Sequence, residues 1–196
     1  VEEILGERVC LREIEEKDHV PLWNMIYGED SPEWKKWDAP YYSLERIDFA
    51  QFEQQIREQV KREEPVPSRV AITTTGGELI GIVSYYWEHK LSFWLEVGIV
   101  IYKPEFWNSG YGTEALKLWI DHLFTSLPLV RIGLATWSGN HRMIRSAEKL
   151  GMKMEARIRK ARLHQDTYYD ALRMGVLREE WPIVDRTGEE GVHGCK

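Results

Sequence analysis

The sequence predicts an α+β domain: a central mixed, mostly antiparallel sheet flanked by helices, with one parallel pair of strands. Three observations predict it. Short strand-like runs follow one another between residues 69 and 102, and such succession favours antiparallel pairing. Two strand–helix alternations then occupy residues 93–150, which permits one parallel neighbour at the centre. A last pair of runs, 154–162 and 168–177, closes as a hairpin.

The elements follow in order. Residues 8–14 read as a first strand, and Asp18 is placed to cap a helix over 19–27, because a carboxylate accepts from free helix-start amides. A loop from Gly28 to Tyr42 carries Pro32, Pro40 and the rings of Trp34, Trp37, Tyr41 and Tyr42. Ser43 is read as the cap of a second helix, with Phe49, Phe52, Ile56 and Val60 at helical spacing and Pro65 and Pro67 ending it. Strands at 69–74 and 79–87 flank a Gly76-Gly77 turn, His89-Lys90 occupy the next turn, and 93–102 form a further strand. The helix from Gly110 to about Thr125 shows one apolar stripe in Ala115, Leu116, Trp119, Ile120 and Leu123. A strand at 129–136 and a helix at 140–150, stopped by Gly151, precede the hairpin. Residues 1–182 thus read as one domain, and 183–196 as a flexible C-terminal tail.

Composition excludes several classes. With 196 residues, 43% hydrophobic and 30% charged, the chain is globular in composition. No apolar run approaches the roughly 18–20 residues that span a bilayer, and the acidic start lacks the layout of a secretion signal. Two cysteines, Cys10 and Cys195, make neither a disulfide framework nor a metal site, so the expected compartment is cytoplasmic and no metal is expected. A net charge of −6 argues against nucleic acid as a partner and suits a cationic acceptor.

The richest segment runs from Ile99 to Ala115, where a strand enters a Gly-rich turn, Asn108-Ser109-Gly110-Tyr111-Gly112, that opens a helix. Helix starts present unpaired N–H groups and partial positive charge, so anions settle there. Glycine at 110 and 112 lets backbone approach a phosphate closely. Gly110-x-Gly112-x-x-Ala115 also fits a dinucleotide fingerprint, which requires an acid at the end of the next strand. That strand ends Leu134-Ala135-Thr136-Trp137, without one. The dehydrogenase reading falls away.

The segment resembles the cofactor motif of the GNAT superfamily of N-acetyltransferases, Gln/Arg-x-x-Gly-x-Gly/Ala. Glu7-Arg8-Val9-Cys10-Leu11-Arg12-Glu13-Ile14, then Asn140 followed by Leu150-Gly151, then Tyr168-Tyr169-Asp170, resemble landmarks of its branch acting on ribosomal-protein N-termini. The resemblance runs from about residue 7 to 181. It implies a splayed V between the strands at 93–102 and 129–136. It implies acetyl-CoA as cosubstrate, with pantetheine along Ile99, Val100, Ile101 and Tyr102 and on Asn140. Pyrophosphate is implied over the amides of Asn108, Ser109, Gly110, Tyr111, Gly112 and Thr113. Trp107 stands where the superfamily pattern has Gln or Arg. Met143 and Ala147 stand where relatives place a Ser or a proton-donating Tyr, and neither can donate a proton. Relatives are often monomers or homodimers.

Attack on a thioester needs a neutral amine, hence a base. Glu96 is the candidate. Alternation puts Leu95, Val97, Ile99 and Ile101 on one face and Trp94, Glu96 and Gly98 on the other. By gapless counting from Gly110 it also coincides with the base glutamate of histone-acetylating relatives. His89 and His141 are weaker candidates; His19 and His122 read as structural. Trp34, Trp37, Trp87 and Trp94 are candidates for an acceptor wall, since ring faces attract cations. The expected activity is acetyl transfer from acetyl-CoA to a primary amine, either a protein N-terminus or a small molecule. The alternative is a non-catalytic acetyl-CoA-binding or ribosome-associated factor.

Overall fold

The structure, a computed structural model, describes residues 3–60 and 64–182. Its strands are β1 (Ile4–Leu5), β2 (Val9–Arg12), β3 (Arg69–Thr74), β4 (Leu79–His89), β5 (Trp94–Ile101), β6 (Arg131–Trp137), β7 (Lys153–His164) and β8 (Thr167–Leu177). The helices are α1 (Glu16–Tyr27), α2 (Phe49–Val60), α3 (Tyr111–Ser126) and α4 (His141–Lys149). The tail expected beyond residue 182, and Cys195 with it, lie outside the described residues. Among the described residues no helix is long and apolar enough to cross a membrane.

The eight strands form one sheet in the order β1-β2-β3-β4-β5-β6-β8-β7. Every pairing is antiparallel except β5 with β6. The expected class holds: a mixed sheet with one parallel pair, joined by the crossover through α3. Alternation along the strands divides the core in two. On one face α3 buries Ala115, Leu116, Trp119, Ile120 and Leu123 with Leu95, Val97, Ile132 and Leu134. On the other, α1 and α2 bury Leu22, Phe52 and Ile56 with Ile82. Trp119 is fully buried and satisfies its indole by donating to the Ser84 carbonyl at 3.1 Å.

Two helix starts differ from expectation. Asp18 does not cap α1. It lies at the third helical position, where its carboxylate accepts from the Glu15 N–H at 2.8 Å. Nor does Ser43 cap α2, which begins six residues later. Asp48 takes that place, accepting from Gln51 N at 2.8 Å while Gln51 Oε1 accepts from Asp48 N at 3.3 Å. That reciprocal box satisfies two orphan amides, which Ser43 with Arg46 three residues on cannot do.

Asp18 is held elsewhere for a stronger reason. Arg12 at the end of β2 grips it through two bonds of 2.6 and 2.9 Å, and Asp18 is buried. Burial raises the carboxyl pKa, but the Arg12 bonds, the Glu15 amide and the Arg12 charge outweigh it, so the pKa lies below the usual value. Because the folded pKa is depressed, this stabilisation is complete above the unfolded value of about 4 and is lost as pH falls through the folded one. Asp18→Ala is expected to cost about 3–5 kcal/mol at pH 7, since it strands a buried guanidinium. Urea denaturation of both proteins checks this. The gap narrows below about pH 4, and an equal gap at pH 7 and pH 3 contradicts the assignment.

Candidate active site

The parallel pair holds for three rungs only: Trp94–Arg131, Leu95–Ile132 and Glu96–Gly133. Beyond Glu96, β5 runs on to Ile101 and β6 to Trp137 without pairing to each other. β6 stays paired with β8 as far as Trp137–Ala171, so the two central strands part as a V. The last rung has a steric condition. A Cβ on Gly133 would come within 3.3 Å of Glu96 Oε1 and 3.4 Å of the Met174 carbonyl.

At the open end, β5 leads into the Gly-rich turn. Gly110 has φ +89 and Asn108 φ +57, a left-handed pair that turns the chain into α3. The first amides of α3 have no partner within the helix. Gly112, the second residue of α3, would place a Cβ at ordinary contact with Ile101, 3.6 Å from its Cδ1. The protein itself therefore leaves room for a side chain there. Trp107 donates its indole N–H to the Ile101 carbonyl at 2.8 Å and braces the turn against the strand.

One groove of about 300 Å³ collects most of the residues expected to hold the cofactor: Ile99, Val100, Ile101, Trp107, Asn108, Gly110, Gly112, Thr113, Asn140 and Met143. Trp34 and Trp37 line it too. Three expected residues do not join it. Tyr102 is buried against Trp34 in the α1/α2 core, and burial pushes its phenol well above the usual range. Tyr111 packs edge-on against Phe106, and Ser109 donates to the Trp107 carbonyl at 3.1 Å.

Sequence reasoning missed the other side of this groove. Arg142, Arg145 and Lys149 of α4 line it, spaced three and four residues apart and so on one helical face. Ser146 lines it as well and ties α4 to α3 through Thr113 at 2.9 Å between hydroxyls. The signal in the sequence is the spacing of these cations, at i, i+3 and i+7 just after Asn140. The fit to a phosphate-bearing ligand is good: a left-handed Gly turn, free helix-start amides and three cations face one space.

Asn140 caps α4 by accepting from Met143 N at 3.1 Å, while its Nδ2 donates to the Trp37 carbonyl at 3.1 Å. Trp137 donates to the same carbonyl at 2.8 Å, which pins the loop after α1 to the end of β6. Arg142 lies between the rings of Trp37 and Trp107, 4.0 and 3.8 Å from their centroids, and burial lowers its pKa. Asp38 lines the groove beside them, its pKa raised by burial against the opposing charge of Lys35.

Glu96 occupies the last closed rung, on the sheet face that carries α1 and α2, and is only 2% exposed. The Tyr86 hydroxyl donates to its Oε2 at 2.6 Å, and Arg173 of β8 bonds its Oε1. Arg173 also stands 3.6 Å from Glu88. Burial, then the bond to Glu96 and its charge, push the Tyr86 phenol well above its usual range, so Tyr86 is a donor here. Trp94 lies at the closed end of the V beneath Arg131, 5.1 Å from ring centroid to guanidinium carbon. Trp87 pairs with Leu95 and packs on the opposite, α3 side of the sheet, away from Glu96.

On the Glu96 face, the uncovered half of the sheet ends in an aromatic group that the sequence did not bring together. Trp137 meets Tyr169, Tyr41 and His164 edge-on at 4.8, 5.9 and 6.2 Å. Arg162 lies over Tyr41 and Tyr42 at 5.1 and 5.9 Å. Of the histidines considered earlier, His89 bonds Ser92 at 2.7 Å, His19 faces Glu53 at 3.5 Å, His122 stacks on Trp119, and His141 is exposed. Among the described residues no group of three or more His, Cys, Asp or Glu is arranged to hold a metal.

The family profile described as "Acetyltransferase (GNAT) domain" matches residues 8–153. An SPbeta prophage-derived uncharacterized N-acetyltransferase of Bacillus subtilis is 22% identical over 178 residues, 91% of this chain and 94% of that one. The spermidine N(1)-acetyltransferase of Escherichia coli K12 is 28% identical over 111 residues, 57% of this chain and 59% of that one. Among solved structures, a spermidine N-acetyltransferase from Vibrio cholerae in complex with CoA and spermine aligns with TM-score 0.74 and 19% identity. That alignment covers 89% of this chain and 98% of the other.

Gly112→Val separates fold from ligand. The helix gains a residue no worse than glycine, and the nearest contact is an ordinary one, so the melting temperature is expected to hold within about 2 °C. Close phosphate approach is lost, and the Kd for acetyl-CoA rises at least roughly tenfold, about 1.4 kcal/mol. Calorimetric titration beside a melting curve checks both; unchanged affinity removes the assigned turn.

Proposed function

The chain belongs to the GNAT family of acetyltransferases, and on that premise we propose that it transfers an acetyl group from acetyl-CoA to a primary amine, with Glu96 as the base. The observation that carries the reading is a single line of features. A Gly-turned helix start and a cationic α4 face lie at the open end of the V, the unpaired stretch of β5 follows, and Glu96 stands three residues before Ile99 at the closed end.

Acetyl-CoA supplies the activated thioester. The residues of this chain do the rest. Amides at 111–113 and the Arg142, Arg145 and Lys149 side chains hold the phosphates by charge and dipole. The unpaired β5 edge around Ile99 and Val100 orients the arm and offers an N–H to the carbonyl oxygen, where negative charge grows during attack. Glu96 takes a proton from the incoming ammonium and frees its lone pair; the new C–N bond forms as the C–S bond breaks. Tyr86 and Arg173 fix the carboxylate for that task and offset the cost of burying it. Met143 and Ala147 offer no proton to the departing thiolate, so solvent supplies it.

The relatives named as spermidine acetyltransferases support a small-molecule amine as acceptor, whereas the landmarks shared with the ribosomal-protein branch support a protein N-terminus. The alternative, an acetyl-CoA-binding factor without turnover, is favoured by one observation. Both oxygens of Glu96 already accept hydrogen bonds. Thermal stabilisation by acetyl-CoA with no thiol release from any amine selects that alternative.

Thiol release with a panel of primary amines tests the enzyme directly. Glu96→Gln is expected to lower kcat/KM roughly 100-fold at pH 7. The deficit shrinks as pH rises through the pKa of the amine, because the acceptor then arrives neutral. A wild-type pH–rate profile in the variant would acquit Glu96.

A further inference from the structure

On the face where the acceptor would lie, no ion pair to Arg162 is found among the described residues. Its Nη1 donates to the Ala161 carbonyl at 3.0 Å, and its Nε is buried without a hydrogen-bond partner among the described residues. The neighbouring acid is already committed: Asp170 accepts from Arg157 Nε and from the Lys160 amide. The guanidinium carbon stands 5.1 and 5.9 Å from the ring centroids of Tyr41 and Tyr42, a contact that leaves the outer N–H groups as donors.

The surroundings reinforce this. A register shift in β7 between Ile158 and Arg162 leaves the intervening residues out of the ladder, and Arg159 and Lys160 among them are exposed. On a chain of net charge −6, this strip is cationic. A polycation approaching here meets like charge.

Register gives the distance scale. Arg162 pairs with Tyr169, and Arg173, which holds Glu96, lies four residues further along β8 on the same face. At about 3.3 Å per residue, the two positions stand roughly 13 Å apart. Ala171 and exposed Ala135 form a low floor between them.

We propose that Arg162 is a specificity residue for the acceptor, reading an anionic group carried about 10–13 Å from the reacting amine, the span of three or four extended peptide residues. The acceptor class is an amine joined to a carboxylate, as in a short peptide with a free N-terminus, and not a polyamine. This deepens the acetyltransferase reading and rests on it.

The probes are tetraglycine, its C-terminal amide and spermidine, each assayed by thiol release from acetyl-CoA. The free acid is expected to exceed the amide about tenfold in kcat/KM, through KM rather than kcat, and to exceed spermidine as well. Arg162→Gln closes the gap between acid and amide, and Arg162→Lys restores part of it; melting curves of the variants exclude a folding defect. Equal use of acid and amide, or a gap that survives Arg162→Gln, overturns the proposal while leaving the acetyltransferase reading intact. Preference for spermidine overturns it likewise. Absence of thiol release with every amine overturns both.

Discussion

The structure depends on where the pairing of β5 with β6 stops. Three rungs hold and then the strands diverge. The third rung carries a buried carboxylate, Glu96, opposite a residue with no side chain, Gly133. Glycine there leaves the carboxylate uncrowded, and Arg173 and Tyr86 supply its hydrogen bonds. An unpaired charge at that depth would cost several kcal/mol. The rung therefore joins two things: it closes the sheet on one side and opens the groove between β5 and α4 on the other.

What lies on each side follows from alternation. The even positions of β5 face α1, α2 and the uncovered part of the sheet; the odd positions face α3. The proposed cofactor site then lies at the open end, where α3 begins and α4 presents its cations. The proposed acceptor site lies on the Glu96 face, between the loop after α1 and the β7–β8 hairpin. Trp37 spans both regions. Its carbonyl is pinned by Trp137 and Asn140, and its ring packs on Arg142, so the loop after α1 is fastened to the end of β6 and to α4.

The parts legible in the sequence were those carried by short-range pattern. The apolar stripe of α3, the glycine turn before it and the facing of Glu96 all rest on spacings of a few residues. The helix caps show the limit: Ser43 and Asp48 are both good capping residues, and the deciding feature was Gln51 three positions after Asp48. The partners of Glu96 were not legible. Arg173 lies 77 residues away, and only the register of β6 with β8 brings it beneath the carboxylate. The same holds for Trp87 and Trp94. They are seven residues apart, yet pairing across β4 and β5 puts them on opposite faces. Arg162 depended on an irregularity in β7 that no residue type announced.

Hydrogen–deuterium exchange with saturating acetyl-CoA tests the central claim most directly. Slowed exchange is expected, concentrated at the amides of residues 99–101 and 110–113, the diverging half of β5 and the start of α3. Measurable acetyl-CoA affinity with unchanged exchange in both segments would contradict it.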